Sequence, residues 1–289
     1  MNEVYTEIAR YSETLPEYHG PLELLRKITE IQSLLLKEVS SGDEHEKLEH
    51  LIDPADASGM IQSGQPLFGT KCVPVSASVF LKGLQEFSSL LQNGYSTTTL
   101  DRLLASKSLD PGNIEAFLND LQSDIDACIQ RMAKSTSAKP DTIRFLLRTS
   151  LAPFFQLQAG FYQDIVAEGF WSKGICPICG SEPSIARLVK DCGRRFLVCF
   201  LCGTEWVFDR LRCPFCEHKG PPKVRHFTVD DDEAHRVECC DNCKRYLKTV
   251  DDRIVGHQTS PAVEDIITLQ LDIFAKEQGY RQALDYILI

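Results

Sequence analysis

Four Cys-x-x-Cys pairs fall within 68 positions of this 289-residue chain: Cys176/Cys179, Cys199/Cys202, Cys213/Cys216 and Cys240/Cys243. Two cysteines three apart on a tight turn can both bond one ion, at metal–sulfur distances of about 2.3 Å, and a pair from a second turn closes the tetrahedron. Eight thiols at this spacing are the ligand set of two tetrahedral metal sites. CPICG at 176–180 and CFLCG at 199–203 have the form of facing knuckles of a zinc ribbon or rubredoxin. The glycine after each second cysteine permits positive φ and lets backbone N–H groups turn toward the thiolates. Nineteen residues separate Cys179 from Cys199, within the usual ribbon spacing, whereas 23 separate Cys216 from Cys240. Glu217 and Lys244 stand where the second set would have glycine, so that set is the looser match. Pairing in sequence order is preferred, because it makes two ribbons of about 30 residues each. A nested arrangement, in which the two middle pairs share one ion, stays open.

Four thiolates suit zinc and iron alike, so ligand type does not choose the metal. Full coordination leaves no position for water or substrate, unlike a catalytic zinc site. No Ser-His-Asp order, glycine-rich phosphate loop or paired carboxylates stand out, and no catalytic residue is expected. Each ribbon is too small to bury enough apolar surface unaided, and bound metal would supply the missing stability. The other cysteines are read differently. Cys239 cannot join its neighbour's knuckle without shifting the register, Cys192 is an incidental turn residue, Cys72 lies in the helical region, and Cys128 fits a helix face as a small core residue. His218, His226 and His235 have no paired spacing and are read as ordinary histidines. Asp230, Asp231, Asp232 and Glu233 form an acidic run, either a solvated turn or a patch for a basic partner.

The elements that must position these thiols divide the chain near residue 170. Residues 1–170 read as a helical domain. Leu22, Leu25, Ile28 and Leu35 recur at helical spacing after Pro21, Phe80, Leu84, Phe87 and Leu91 form a second stripe around Gly83, and Ile114, Phe117, Leu118, Leu121, Ile125 and Ile129 a third. A fourth helix begins near Asp141 and is expected to kink or divide at Pro153. Residues 42–59 and 133–142 are the loop candidates. Residues 171–260 change grammar: Gly, Pro and Cys become dense and apolar runs shorten to strands at 185–189, 194–198, 204–208, 223–229 and 246–250. They read as tandem rubredoxin-like metal-binding modules. Residues 261–289 return to helix, with Ser260 as N-cap and Pro261 after it. Val263, Ile266, Ile267, Leu271 and Phe274 form its apolar face and Gly279 its stop, and it is expected to pack on the helical domain. The fold class is α+β: a mainly helical N-terminal domain, two rubredoxin or zinc-ribbon-like β modules and a C-terminal helix.

The net charge is −10, distributed as −9 over residues 1–170, +2 over 171–260 and −3 over 261–289. An acidic chain argues against nucleic-acid binding, which draws its affinity from phosphate neutralisation by Lys and Arg. The first twenty residues lack a basic start and an apolar core, and no apolar run reaches the roughly 18 residues of a membrane helix. The expectation is a cytoplasmic protein whose twelve cysteines are metal ligands and thiols rather than disulfides.

The segments CPICGSEP, CFLCGTEW, LRCPFCE and CDNCKRYLKTVD, followed by AVEDIITLQLDIFAKEQGY, resemble the formate dehydrogenase accessory protein family of the FdhE type. The resemblance covers roughly residues 171–281 and includes Thr204-Glu205-Trp206 and Tyr246-Leu247-Lys248, with Cys239 outside the pattern. It implies a cytoplasmic, non-catalytic assembly factor with rubredoxin-like iron centres, or zinc in their place. Its ligands would be Cys176, Cys179, Cys199, Cys202, Cys213, Cys216, Cys240 and Cys243. The implied partner is the molybdenum- or tungsten-containing catalytic subunit of formate dehydrogenase. Electron transfer onto that client's cofactor is the alternative role, nucleic-acid binding through Arg194/Arg195 and Lys244/Arg245 a weaker one, and a homodimer is allowed.

Overall fold

A computed structural model describes residues 2–282, except 42–50, 70–72, 92–96, 107–108, 111, 191–192, 220–223 and 230–231. Cys72, Asp191, Cys192, Asp230, Asp231 and most of the first loop candidate lie outside the described residues. The helices are α1 (Asn2–Thr14), α2 (His19–Ser41), α3 (Pro54–Gln62), α4 (Ala77–Leu91), α5 (Thr97–Leu104), α6 (Ile114–Ser123), α7 (Ile125–Thr136), α8 (Pro140–Glu168), α9 (Asp252–Val255), α10 (Pro261–Ile267) and α11 (Leu269–Glu277). The strands are β1 (Pro183–Leu188), β2 (Arg195–Cys199), β3 (Glu205–Val207), β4 (Val224–Phe227), β5 (His235–Cys240), β6 (Arg245–Asp251) and β7 (Arg281–Gln282). This is the α+β class read from the sequence.

Two compact units divide these elements. One comprises residues 1–26, 52–69 and 162–285, and the other includes 27–51 and 70–161. The division follows packing and not the change of composition near Trp171.

In the helical unit, the apolar stripes become buried faces: Phe80, Leu84 and Phe87 on α4, and Ile114, Phe117, Leu118 and Leu121 on α6. Gly83 is helical because α4 approaches its neighbours closely. A Cβ there would meet Leu35 Cδ1 at 3.1 Å and Ser150 Cβ at 3.3 Å. The third stripe is two helices, not one. The chain breaks at Asp124, whose carboxylate accepts from the Ala127 N–H at 2.9 Å and caps α7. Pro153, by contrast, does not divide α8, which is assigned as helix through all 29 of its residues. Proline cannot donate to the carbonyl of Thr149, and Gln32 Nε2 donates to that oxygen instead, at 3.4 Å. Part of the expected loop at 42–59 is helical as well. Asp53 caps α3 by accepting from Ala55 N at 2.8 Å, with Pro54 at the first helical position.

The other unit is built on one sheet of seven strands in the order β3-β2-β1-β6-β5-β4, with β7 beside β6. β1, β2 and β3 pair antiparallel, as do β4, β5 and β6. The two sets join through a parallel pairing of β1 with β6, in which Ile185 lies opposite Lys248 and Leu188 opposite Asp251. The two ribbons are therefore one continuous sheet. On one face Val237, Cys239 and Tyr246 form a core with Leu271 and Ala275 of α11 and with Tyr280. The C-terminal helical segment is two helices, broken at Thr268. α10 packs against α1 and β1, α11 against β5 and β6. Ser260 occupies the N-cap of α10 without using its side chain; its N–H donates to Glu7 Oε2 of α1 at 2.8 Å. Gly279, at φ +82°, ends α11 as expected.

Ion pairs replace apolar packing at several buried positions of this sheet. Lys248, 2 % exposed, donates to Asp272 Oδ2 at 2.6 Å and lies 2.7 Å from Asp265 Oδ1, while the Tyr246 hydroxyl donates to Asp272 Oδ1 at 2.8 Å. Arg187 bridges Asp252 and Glu205, at 2.5 and 2.8 Å, and Arg195 reaches Glu238 at 2.9 Å. Burial opposes the charge on Lys248, but the two aspartates outweigh it and hold its pKa above the usual value.

His235 at the start of β5 lies between two carboxylates, with Nδ1 2.6 Å from Asp232 Oδ2 and Nε2 2.5 Å from Glu264 Oε2 of α10. Burial works against protonation of the ring, yet Glu264 and then Asp232 prevail and raise its pKa. A folded-state pKa above the unfolded value of about 6.5 means stabilisation that is complete below that value and lost as pH rises through the folded pKa. Thermal unfolding between neutral and mildly alkaline pH should accordingly show a falling midpoint in the native protein. His235→Gln should flatten that slope and lower the midpoint most at the acidic end of the range. An unchanged slope would mean that His235 is neutral in the folded protein.

Candidate metal centres

Each knuckle is a turn of the same construction. The residue after the second cysteine donates its N–H to the carbonyl of the first: Gly180 to Cys176 (3.0 Å), Gly203 to Cys199 (3.0 Å), Glu217 to Cys213 (2.9 Å) and Lys244 to Cys240 (2.8 Å). All four donors have left-handed φ, at +74°, +73°, +56° and +58°. The second set, which looked looser because it lacks the glycines, makes the same turns with non-glycine residues. Glu217 is held there by an ion pair with Arg212, and Lys244 by Asp241 (3.2 Å) and the face of Tyr280 (5.3 Å).

These turns bring the thiols together in sequence order. Cys176, Cys179, Cys199 and Cys202 form one cluster and Cys213, Cys216, Cys240 and Cys243 another, with the sulfur atoms of each all within 4.8 Å of one another. The nested arrangement does not occur. Sulfur–sulfur distances are 3.5 Å for Cys176–Cys202, 3.4 Å for Cys179–Cys199 and 3.7 Å for Cys179–Cys202 in the first cluster. In the second they are 3.7 Å for both Cys213–Cys243 and Cys216–Cys240. A regular tetrahedron of thiolates about 2.3 Å from its centre has edges of about 3.8 Å. The eight sulfurs thus stand where two tetrahedral ions would hold them, and both groups could hold a metal ion.

Electrostatics point the same way. Burial pushes the Cys176 and Cys199 thiols up, whereas the neighbouring thiols overcome burial at Cys179 and hold it well below the usual range. In the second cluster burial raises Cys213, and raises Cys243 to about 11, while Asn242 and surrounding donors bring Cys216 down to about 7 against the opposing effect of burial. Cys179 and Cys216 are thus shifted toward the thiolate, while burial resists ionisation of Cys176, Cys199, Cys213 and Cys243. A divalent or trivalent cation at the centre removes that resistance, so metal binding would release protons.

Groups around the sulfurs that the spacing argument did not single out complete the sites. Thr204 Oγ1 lies 3.0 Å from Cys202 Sγ, and Asn242 Nδ2 donates to Cys216 Sγ at 3.4 Å. Leu67 and Phe68 donate their N–H groups to the carbonyls of Pro177 and Ile178 inside the first knuckle, at 2.9 and 2.7 Å. Arg245, immediately after the last knuckle's turn, pairs through both guanidinium nitrogens with Glu182, beside the first knuckle, and stacks 4.1 Å over Phe215, inside the third. It ties one cysteine cluster to the other. Cys239, fully buried, faces the α11 core rather than the adjacent cluster, and burial lifts its thiol to about 12. Cys128 is buried on α7, as a core cysteine should be, with Arg131 donating to its sulfur at 2.9 Å.

Paired tetra-cysteine knuckles feeding one antiparallel-ended sheet define a metal-binding protein of the rubredoxin and zinc-ribbon kind. Residues 175–210 match the FdhE central domain and residues 211–288 the FdhE C-terminal domain, so this part of the chain is similar to the FdhE proteins. The Protein FdhE homolog of Aquifex aeolicus is 25 % identical over 271 residues, covering 93 % of this chain and 88 % of that protein. Protein FdhE of Escherichia coli (strain K12 / DH10B) is 36 % identical over 115 residues, a stretch that spans 37 % of this chain and 35 % of the relative's length. The crystal structure of the FdhE protein from Pseudomonas aeruginosa has the same fold, with a TM-score of 0.64 at 20 % identity over 99 % of this chain and 94 % of that one.

Two measurements follow from the site geometry. Cys216 and Cys243 are half-buried, whereas Cys179 alone is so in the first cluster. Chelator titration followed by metal analysis should therefore empty the second site first, and Cys216→Ser should leave one ion per chain. Simultaneous loss of both ions would contradict the difference in exposure. Gly174 tests the packing around the third knuckle, because a Cβ there would lie 1.8 Å from the Pro214 carbonyl oxygen. Gly174→Ala should cost roughly 1–3 kcal/mol in stability and lower metal occupancy at the second site in preference to the first.

Proposed function

We propose that this chain is an accessory factor for formate dehydrogenase that binds the immature catalytic subunit in the cytoplasm and carries out no turnover chemistry of its own. The observation that carries the reading is the pair of tetra-cysteine clusters within residues that match the FdhE domains. In this reading the eight clustered cysteines are metal ligands, residues 171–260 are the metal-binding modules, and the metal is iron, with zinc as the substitute. Four thiolates per ion leave no vertex for a substrate, so the bound metal would supply rigidity and, if iron, a one-electron couple. Thr204 and Asn242 would hold the sulfurs by hydrogen bonds, a recognised lever on the potential of such centres. Among the described residues no helix is long and apolar enough to cross a membrane, which is compatible with a cytoplasmic factor.

Electron transfer to the client is the second reading, favoured by the incomplete burial of Cys216 and Cys243 at the second site. Anaerobic purification separates the two metals. Iron should show thiolate charge-transfer colour that bleaches on reduction, whereas stoichiometric zinc in a colourless protein would remove the electron-transfer reading. The accessory role predicts that affinity-tagged protein co-purifies with the catalytic subunit before its cofactor is inserted. It also predicts that a deletion strain loses most of its formate dehydrogenase activity. Full activity in that strain would end the assignment.

A further inference from the structure

Strand β4 is the last of its sheet. It pairs antiparallel with β5, with Val224 opposite Cys240 and Phe227 opposite Val237, and among the described residues no strand lies on its other side. Such an edge offers unpaired N–H and C=O groups in register for another extended chain. The side chains of β4 separate by face. Phe227 lies against Phe274 of α11, with ring centroids 5.4 Å apart. Val224 and His226 instead line a groove of about 820 Å³ whose other walls include Arg210, Leu211 and Arg236. Leu211 is 62 % exposed, an apolar side chain left open to water at the groove's rim.

Two arginines and two carboxylates line the groove, and both carboxylates are already taken up in ion pairs. Its two carboxylates, Asp209 and Glu238, each have basic partners: Lys219 lies 2.8 Å from Asp209, while Arg195 (2.9 Å) and Arg236 (3.0 Å) share Glu238. Of the two arginines that line the groove, Arg236 is engaged by Glu238, whereas Arg210 donates to the Gly193 carbonyl at 3.3 Å and forms no ion pair among the described residues. A second copy of this chain is a poor occupant, since the carboxylates that line its own groove are already paired and none is left to meet Arg210.

We propose that β4 is a docking edge for an extended, acidic segment of a partner polypeptide. The segment adds as an eighth strand through main-chain hydrogen bonds. Side chains of one parity, acidic with an apolar residue among them, enter the groove toward Arg210, Arg236 and Leu211, as the two-residue period of a strand requires. That this partner is the formate dehydrogenase catalytic subunit rests on the accessory reading above; the edge and its charge preference do not.

The test uses the full chain with its metals bound and, as the probe, a short fluorescent peptide of alternating glutamate and valine. Saturable binding that weakens with salt is expected, with slowed amide exchange at residues 224–227. The exposed substitution Arg210→Glu should weaken it about tenfold. Neither the lysine–valine counterpart nor the glutamate–valine peptide N-methylated at alternate residues should bind. Absence of binding, equal binding of the N-methylated peptide, or indifference to Arg210→Glu would each overturn the proposal, as would protection of 224–227 by self-association. Capture of the catalytic subunit keeps the two claims apart. Undiminished capture by the Arg210→Glu protein would overturn the docking edge and leave the accessory role standing. Peptide binding without any capture by the native protein would support the edge and overturn the accessory role.

Discussion

Four sulfur atoms within 4.8 Å of one another, mostly shielded from water, make up the constraint on which the rest of the sheet depends. Ionising all four without a cation between them is prohibitively unfavourable, because burial and mutual repulsion act in the same direction. The four knuckle turns exist to hold that crowding. Each closes a backbone hydrogen bond from the residue after the second cysteine to the carbonyl of the first, and each needs left-handed backbone at the donor. The strands run out of these turns, so their register follows from where the sulfurs must converge.

The two sulfur clusters are not independent. β1 of the first set and β6 of the second pair in parallel, which joins six strands into one path. Arg245 makes a second link by pairing with Glu182 and stacking on Phe215. Buried ion pairs at Lys248, Arg187 and Arg195 add little net stability over apolar replacements of the same volume, but removing one partner would leave a charge stranded in the interior. Such pairs tolerate few alternative registers. A slip of one residue would turn Lys248 from Asp265 and Asp272 to the other face of the sheet.

Much of this was legible in the chain. The Cys-x-x-Cys spacing located both clusters, and the period of apolar residues located α4, α6 and α8. Cys239 was separated from Cys240 on the register of the knuckle, and the structure places it in the α11 core, outside the cluster. Strand β5 escaped notice because its sequence, HRVECC, carries His235, Arg236 and Glu238, and only the ion pairs to Glu264, Arg195 and Asp232 make those residues fit a central strand. The break at Asp124 was missed because apolar spacing continues across it, whereas the capping oxygen is a local signal easily read as one more surface acid. Division at Pro153 does not occur, and the donor that reaches the Thr149 carbonyl in place of its missing N–H comes from Gln32, far away in sequence.

The sequence by itself determined which eight cysteines cluster, the α+β class and the placement of four tight turns, because these depend on residue types a few positions apart. The tertiary structure alone decided that two ribbons share a sheet and that Glu217 and Lys244 adopt the glycine conformation, whereas the pairing of knuckles is the sequence-order one that the spacing favoured. It also decided that β4 is left at an edge. Those outcomes depend on contacts between residues tens of positions apart, whose free energy no local pattern encodes.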